Sequence, residues 1–404
     1  MSSPLDFAGL ALADPEVYAD EHRLHRALTL LRNSSPVHWV SPPGYRPFWA
    51  ITKHSDVLAI AGSHERFLNA PRPVLTTTAM ERSAAECRSD LRTLIHLDGP
   101  DHRALRTVGT GLFRPHAQRS LLTKVSELAK HYVDRMIELG GTCDFVTDIA
   151  EKFPPHVILS ALGVPRADRQ WILDLTKEMR GSDPRRFAAS QEELFDYFRR
   201  MASDRVSAPV DDLASAIATA RVDGERLSDR DITGFYVSIA TAGHDTLSAA
   251  LSGGLHALIE NPDQLARLRR NPELMPRAVD EMIRWVTPTK SFMRTATEDY
   301  ELRGVTIRAG ESVQLNYASA NRDEDVFVDP FLFDVERTPN RHLSFGAGVH
   351  YCLGASFAKS ELRTFFAQLL PRLRAIRLTG KPVLVASTFV GGLETLPIEY
   401  GIAR

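Results

Sequence analysis

The chain has 404 residues, 43% of them hydrophobic and 25% charged, with a formal net charge of −2. That balance excludes a disordered or fibrous chain, and a near-neutral charge without a basic stripe argues against nucleic-acid binding. Three cysteines, Cys87, Cys143 and Cys352, are odd in number and far apart, so no disulfide framework or zinc spacing can be drawn from them.

The amino terminus lacks the cationic start and apolar run of a secretory signal. The apolar stretch from Phe7 ends at Asp14, far short of a membrane span, so a cytoplasmic protein without membrane contact is expected. Residues 37–40 and 48–52 read as strands around the turn-rich Ser41-Pro42-Pro43-Gly44. Residues 71–92 read as an irregular loop with a short helix. Asp98-Gly99-Pro100-Asp101 starts a helix running through Arg106 towards Phe113. Apolar spacing of three to four predicts helices over 120–139 and 191–207. A long helix opens at Ser228-Asp229-Arg230-Asp231 with a reciprocal capping pattern and is predicted to run to Asn261-Pro262. At 1.5 Å per residue it would be roughly 45 to 50 Å long, and its small and apolar residues on most faces predict burial. A helix over 273–285, strands over 302–307 and 313–317, and a helix over 353–370 follow. No internal repeat is visible.

Just before that last helix the chain reads Phe345-Gly346-Ala347-Gly348-Val349-His350-Tyr351-Cys352-Leu353-Gly354. An iron held by sulfur needs the thiolate, and two features favour the anion. Cys352 stands at a helix start, and the glycines permit turns that aim backbone N–H groups at the sulfur. Phe345 can exclude water there, and His350 adds a donor. Taken alone, a cysteine is more often structural, but three glycines, an aromatic and a histidine at these spacings argue against that reading. The loop resembles the cysteine signature of the cytochrome P-450 superfamily of haem-thiolate monooxygenases: Phe, Gly, any, Gly, any, His or Arg, any, Cys, any, Gly. The resemblance implies a mainly α fold with a minor β lobe and haem b (iron protoporphyrin IX) between the central helix and the cysteine-loop helix. Cys352 would be the metal ligand, with Phe345, Gly346, His350 and Gly354 beside the cofactor. Residues 1–404 would form one catalytic domain, a monomer, with no fused reductase.

Ala242-Gly243-His244-Asp245-Thr246 lies in the middle of the long helix. Gly243 costs about 1 kcal/mol there against alanine, and a carboxylate among apolar residues is expensive unless paired. Both make sense if a ligand lies against this turn. The stretch is similar to the family's acid–threonine motif, which implies that Thr246 positions a proton for dioxygen, that Asp245 delivers it, and that Gly243 makes room. The plainer alternative is a threonine bonding back to a carbonyl one turn earlier. His244 receives no role. His102 and Arg106, four apart on one helical face, together with Arg294 and His350, resemble the family's partners of the haem propionates. Glu281, Arg284 and Arg337 match its buried structural triad.

Stretches such as Ser291-Phe292-Met293-Arg294-Thr295-Ala296 and Phe389-Val390-Gly391-Gly392 are similar to the α-terpineol hydroxylase branch from bacteria. A compact substrate is implied, a monoterpenoid or an aromatic hydrocarbon. Pocket-wall positions from the same match are Ile239, Ala242, Lys290, Phe292, Met293, Phe389 and Val390, although apolar residues there are as often ordinary core. The resemblance also implies dioxygen as co-substrate and a [2Fe-2S] ferredoxin fed by a flavin-dependent reductase. The ferredoxin would dock on a cationic face offered by Arg103, Arg114, Arg341 and Lys359. Two rivals remain: a peroxide-using peroxygenase of the same fold, which often lacks the acid–threonine pair, and a haem sensor or carrier, which would not need it.

Overall fold

A computed structural model describes residues 3–86, 92–112, 118–179 and 183–403; Cys87, Phe113 and Arg114 lie outside the described residues. Helices form the greater part of the molecule. Among them are α1 (Glu21–Ser34), α2 (His54–Gly62), α3 (Thr78–Glu86), α4 (Gly99–Leu112), α5 (Gln118–Glu138), α6 (Phe153–Leu162) and α7 (Arg169–Glu178). They continue with α8 (Pro184–Ser207), α9 (Asp229–Ala242), α10 (Asp245–Glu260), α11 (Met275–Val286) and α12 (Ala355–Leu369). Side-chain caps fix several starts: Asp20 accepts the Arg23 N–H, and Ser228 accepts the Asp231 N–H. Apolar residues at helical spacing point inward. Val125, Ala129, Val133 and Met136 of α5 meet Phe153 of α6, Leu251 and Leu255 of α10 and Phe365 and Phe366 of α12 in the largest core.

The strands of the two larger sheets are β1 (Val37–Val40), β2 (Phe48–Ile51), β3 (Phe67–Leu68), β4 (Thr142–Asp144), β5 (Ser291–Ala296), β6 (Ser312–Asn316), β7 (Leu373–Leu378) and β8 (Pro397–Ile402). One sheet runs β1-β2-β6-β5-β3, with β2 and β6 parallel and Phe48 opposite Ser312. A smaller one runs β7-β8-β4. Alternation gives the larger sheet two buried faces. Phe48, Ala50 and Met293 pack with Leu24, Leu28 and Leu31 of α1, while Ile51, Val313 and Leu315 pack with Val57 and Ile60 of α2.

Three expectations change. The helix expected over 228–260 is two helices, broken at Gly243 and His244. Glycine is the weakest non-proline helix former, and the Thr246 hydroxyl takes the Ala242 carbonyl at 2.8 Å in place of the backbone ladder. The strand expected over 302–307 is a tight hairpin, Tyr300–Leu302 with Val305–Ile307, turning at Arg303 and Gly304 with φ of 53° and 76°. Tyr317, expected at a strand end, opens a short helix, Tyr317–Ala320.

Candidate active site

The cysteine loop is a folded turn with no slack. The Cys352 N–H bonds the Phe345 carbonyl at 2.8 Å, and Gly346 and Gly348 both adopt φ of +70°. Gly348 lies so close to α2 that a Cβ there would collide with the Ala61 carbonyl. Cys352 as a residue retains accessible surface although its side chain is surrounded by protein. Burial pushes the Cys352 thiol up, opposed by the Gly354 N–H, the Arg106 guanidinium and the Ala355 N–H. The start of α12 thus aims its N–H groups at the sulfur. Phe345 packs beside the loop between the rings of His342 and Tyr351, at 5.7 and 6.2 Å, with the Lys359 amino group 5.4 Å from its centroid.

Four cationic or donor groups gather above the loop. The His102 and His350 rings are 4.1 Å apart. Burial, with His350 and Arg106 nearby, brings His102 down to about 4. Burial also lowers His350, against the opposing pull of Asp98, while neighbouring Arg294 adds to the lowering. Arg294 is buried on β5, where its guanidinium donates to the Met293 carbonyl at 2.7 Å and interacts with Tyr317; among the described residues it pairs with no carboxylate. Arg106 is half-buried and feels Cys352. One acid joins the group. Burial alone would raise Asp98, but His350 and the N–H groups of Ala70 and Asn69 hold it low. A buried guanidinium that forms no ion pair among the described residues, with Asp98 as its more distant counter-charge, is costly beside two histidines. The set fits the two carboxylates of a dianionic macrocycle ligated through Cys352. Asp98 escaped the sequence reading because its visible signal is that of a helix start.

The central helix and the cysteine loop meet across α4, where the α9 residue Phe235 and Leu353 both crowd Gly109. At the break, Ala242 is exposed although its helix is otherwise largely buried, so this turn borders open interior space. A hydroxyl has one proton and a carbonyl only accepts, so Thr246 donates to Ala242 and turns its lone pairs outward. The plainer alternative, a threonine bonded back one turn, is therefore present, and it leaves an acceptor where a donor was expected. Asp245 begins α10, with one oxygen 3.5 Å from His244 Nδ1.

Behind the loop, Arg284 holds Glu281 through two bonds of 2.7 Å, and Arg337 bonds both Glu281 oxygens at 3.1 Å. Asn340 and the Asp334 N–H also donate to this carboxylate, while the two guanidiniums reach the carbonyls of Asn321, Pro330, Leu332, Val328 and Asp329.

The expected pocket wall divides. Phe292 stacks edge-on to Phe389 at 5.2 Å, on the same strand face as Arg294, and Val390 bridges to Thr289. Ile239 is buried one turn before the break. Met293 points the other way, into the α1 core, because neighbours on a strand face opposite sides. Lys290 also leaves the wall. Its amino group donates to the Val286 carbonyl at 2.7 Å in a small enclosed cavity with Tyr18, Glu21 and His25, and burial brings it down to about 8. Of the expected docking cations, Arg103 and Arg341 are exposed, and Lys359 pairs with Asp280 at 2.7 Å.

A family model described as Cytochrome P450 matches residues 167–391. "Cytochrome P450-terp" of Pseudomonas sp is 40% identical, covering 96% of this chain and 95% of that protein. "Steroid C26-monooxygenase" of Mycolicibacterium smegmatis is 33% identical, covering 92% and 90%. Among solved structures, CYP108D1 from Novosphingobium aromaticivorans superposes with a TM-score of 0.93 at 38% identity, covering 98% of this chain and 99% of that one. Mycobacterium marinum cytochrome P450 CYP268A2, in complex with pseudoionone, gives 0.88 at 34% identity, covering 95% and 97%.

Proposed function

This chain belongs to the cytochrome P450 family, and we propose that it inserts one atom of dioxygen into a compact hydrophobic substrate, a monoterpenoid or an aromatic hydrocarbon. The observation carrying the substrate class is the edge-on pair of Phe292 and Phe389 on the strand face that also presents Arg294, which narrows the wall with two rings. The 40% identity with "Cytochrome P450-terp", against 33% with the steroid monooxygenase, points the same way.

Haem b, bound through Cys352, supplies the redox chemistry of dioxygen activation. The protein's part is placement. Cys352 ligates, with N–H groups of Gly354 and Ala355 on its sulfur. His102, Arg106, Arg294 and His350 hold the two carboxylates. The break leaves room for a small ligand beside exposed Ala242, which presents only a methyl, whereas a side chain at Gly243 would meet Ile158. Thr246 holds a hydrogen-bond donor in the interior with its outward lone pairs, and Asp245 takes up protons and passes them on. Phe292, Phe389, Val390 and Ile239 exclude water and shape the substrate space. Electrons come from a [2Fe-2S] ferredoxin and its flavin-dependent reductase, docking where Arg103, Arg341 and Lys359 lie. The chain works as a single catalytic domain in the cytoplasm, as a monomer; among the described residues no helix is long and apolar enough to cross a membrane.

The test is a ligand screen on the purified holoenzyme, following the haem spin-state shift with α-terpineol, p-cymene, naphthalene, palmitate and cholest-4-en-3-one. Tightest binding by the terpenoid or an aromatic is expected. Preference for the fatty acid or the steroid overturns the substrate class.

A further inference from the structure

The break between α9 and α10 leaves His244 buried, with its imidazole between two helices. Its Nδ1 is 2.9 Å from the Thr176 hydroxyl on α7 and 3.5 Å from Asp245 Oδ1. Thr176 is itself buried, and its hydroxyl lies 2.8 Å from the Leu173 carbonyl. That carbonyl can only accept, so the single hydroxyl proton is committed to it. The Nδ1 contact must then run from His244 to Thr176: Nδ1 carries the hydrogen, and the Thr176 oxygen accepts it. This assigns the tautomer from the partners. The same nitrogen lies 3.5 Å from an Asp245 carboxylate oxygen, just beyond hydrogen-bond distance.

We propose that His244 is a positioning residue for Asp245, with Thr176 as the second acceptor of its one N–H. The inference rests on the reading of Asp245 as the acid that moves protons. A carboxylate doing this must turn between an outward position, where it gains a proton from water, and an inward one, where it releases that proton towards Thr246. If His244 had Asp245 as its sole acceptor, each excursion would strand a buried donor, and the carboxylate would stay in place. Thr176 removes that obstacle, because the N–H rests on its oxygen while the carboxylate is away. The imidazole keeps its own hydrogen throughout, and the transferred proton rides on Asp245 alone. The seat of the acid is thereby referred to α7 as well as to its own helix.

The test compares Thr176→Val, Thr176→Ser, His244→Asn and Asp245→Asn in the holoenzyme, with a surrogate [2Fe-2S] ferredoxin and reductase and the compound giving the largest spin-state shift. Three quantities are read: peroxide released per product formed, the solvent deuterium isotope effect, and, apart from turnover, the infrared CO stretching band of the reduced, carbon monoxide-treated protein. Thr176→Val, nearly isosteric, should raise the peroxide-to-product ratio about five- to tenfold, enlarge the isotope effect and shift or split the CO band. Thr176→Ser should restore all three, and His244→Asn, which keeps a donor near the Nδ1 position, should fall between. The inference is overturned if Thr176→Val and His244→Asn match the wild type while Asp245→Asn alters the three readouts. If Asp245→Asn also changes nothing, the proton-carrying role of Asp245 fails and takes this inference with it. Should Thr176→Val melt early, His244→Asn against wild type decides alone, and unchanged readouts there overturn the inference.

Discussion

The two walls of the site differ in how much freedom they leave. On the cysteine side the Cys352 N–H, the two left-handed glycines and the start of α12 fix the sulfur from several directions, and the Glu281 network ties the segment behind it to α11. On the opposite side the regular helix lapses at Gly243 and His244, and side chains take over backbone partners. A cysteine that ligates a metal, as proposed for Cys352, is best held still, whereas groups proposed to pass protons must exchange partners. The first wall holds its carboxylate with several donors, and the second is proposed to offer two acceptors to one donor.

Cys352→Ala should do most to break this contrast. The red-shifted Soret band of the reduced, carbon monoxide-treated protein should vanish while a folded chain persists; retention of that band sinks the ligand assignment. Next comes Glu281→Gln, which leaves Arg284 and Arg337 buried without their counter-charge and should cost about 3–5 kcal/mol in denaturant unfolding. A loss below about 1 kcal/mol would show that the fixed wall does not depend on this network. Thr246→Ala tests the other wall. Coupled product formation should fall about tenfold or more, and peroxide should rise, with stability lowered by only about 1 kcal/mol for the lost bond to Ala242. Unchanged coupling would remove Thr246 from the machinery.

Lys290→Met lies outside both walls and sharpens the comparison as a control. Burial brings Lys290 from its usual 10.5 to about 8. Between those values the unfolded chain holds more protons than the folded one, so wild-type stability rises with pH across that window, and below about 8 the folded state carries the full penalty. The substitution should raise stability by about 2 kcal/mol at pH 7, and the advantage should disappear by about pH 10.5, read from thermal or urea unfolding. A gain that persisted at high pH would mean packing, and not charge, was the cause.

Much of this was legible in the residues. The cysteine loop, the residues proposed to hold the carboxylates and the triad are motifs in which residue type and spacing carry the reading, and the structure brings the members of each group near one another. Strand parity was also available: Phe292 and Arg294 share a face, so Met293 had to point to the other side. Lys290 precedes the regular strand, where parity gives no guidance, and a long flexible side chain follows the nearest buried acceptor. The helix break was half visible. Gly243 marked a weak point, but apolar spacing continues in phase on both sides, so periodicity alone reads one helix. That the Thr246 hydroxyl spends its hydrogen on Ala242, leaving only lone pairs to accept, depends on which carbonyl lost its backbone partner, a tertiary fact.

The parallel pairing of β2 with β6 has a consequence for synthesis. Phe48 waits for Ser312, made about 260 residues later, which at 5–20 residues per second is a lag of roughly 13 to 50 s. Until then β1 and β2 form at most a two-stranded hairpin, marginal in water, and Leu24, Leu28 and Leu31 of α1 lack the sheet they cover. The α1 helix is therefore made well before the sheet it covers is complete. During that interval it is open to chaperones, proteases and aggregation.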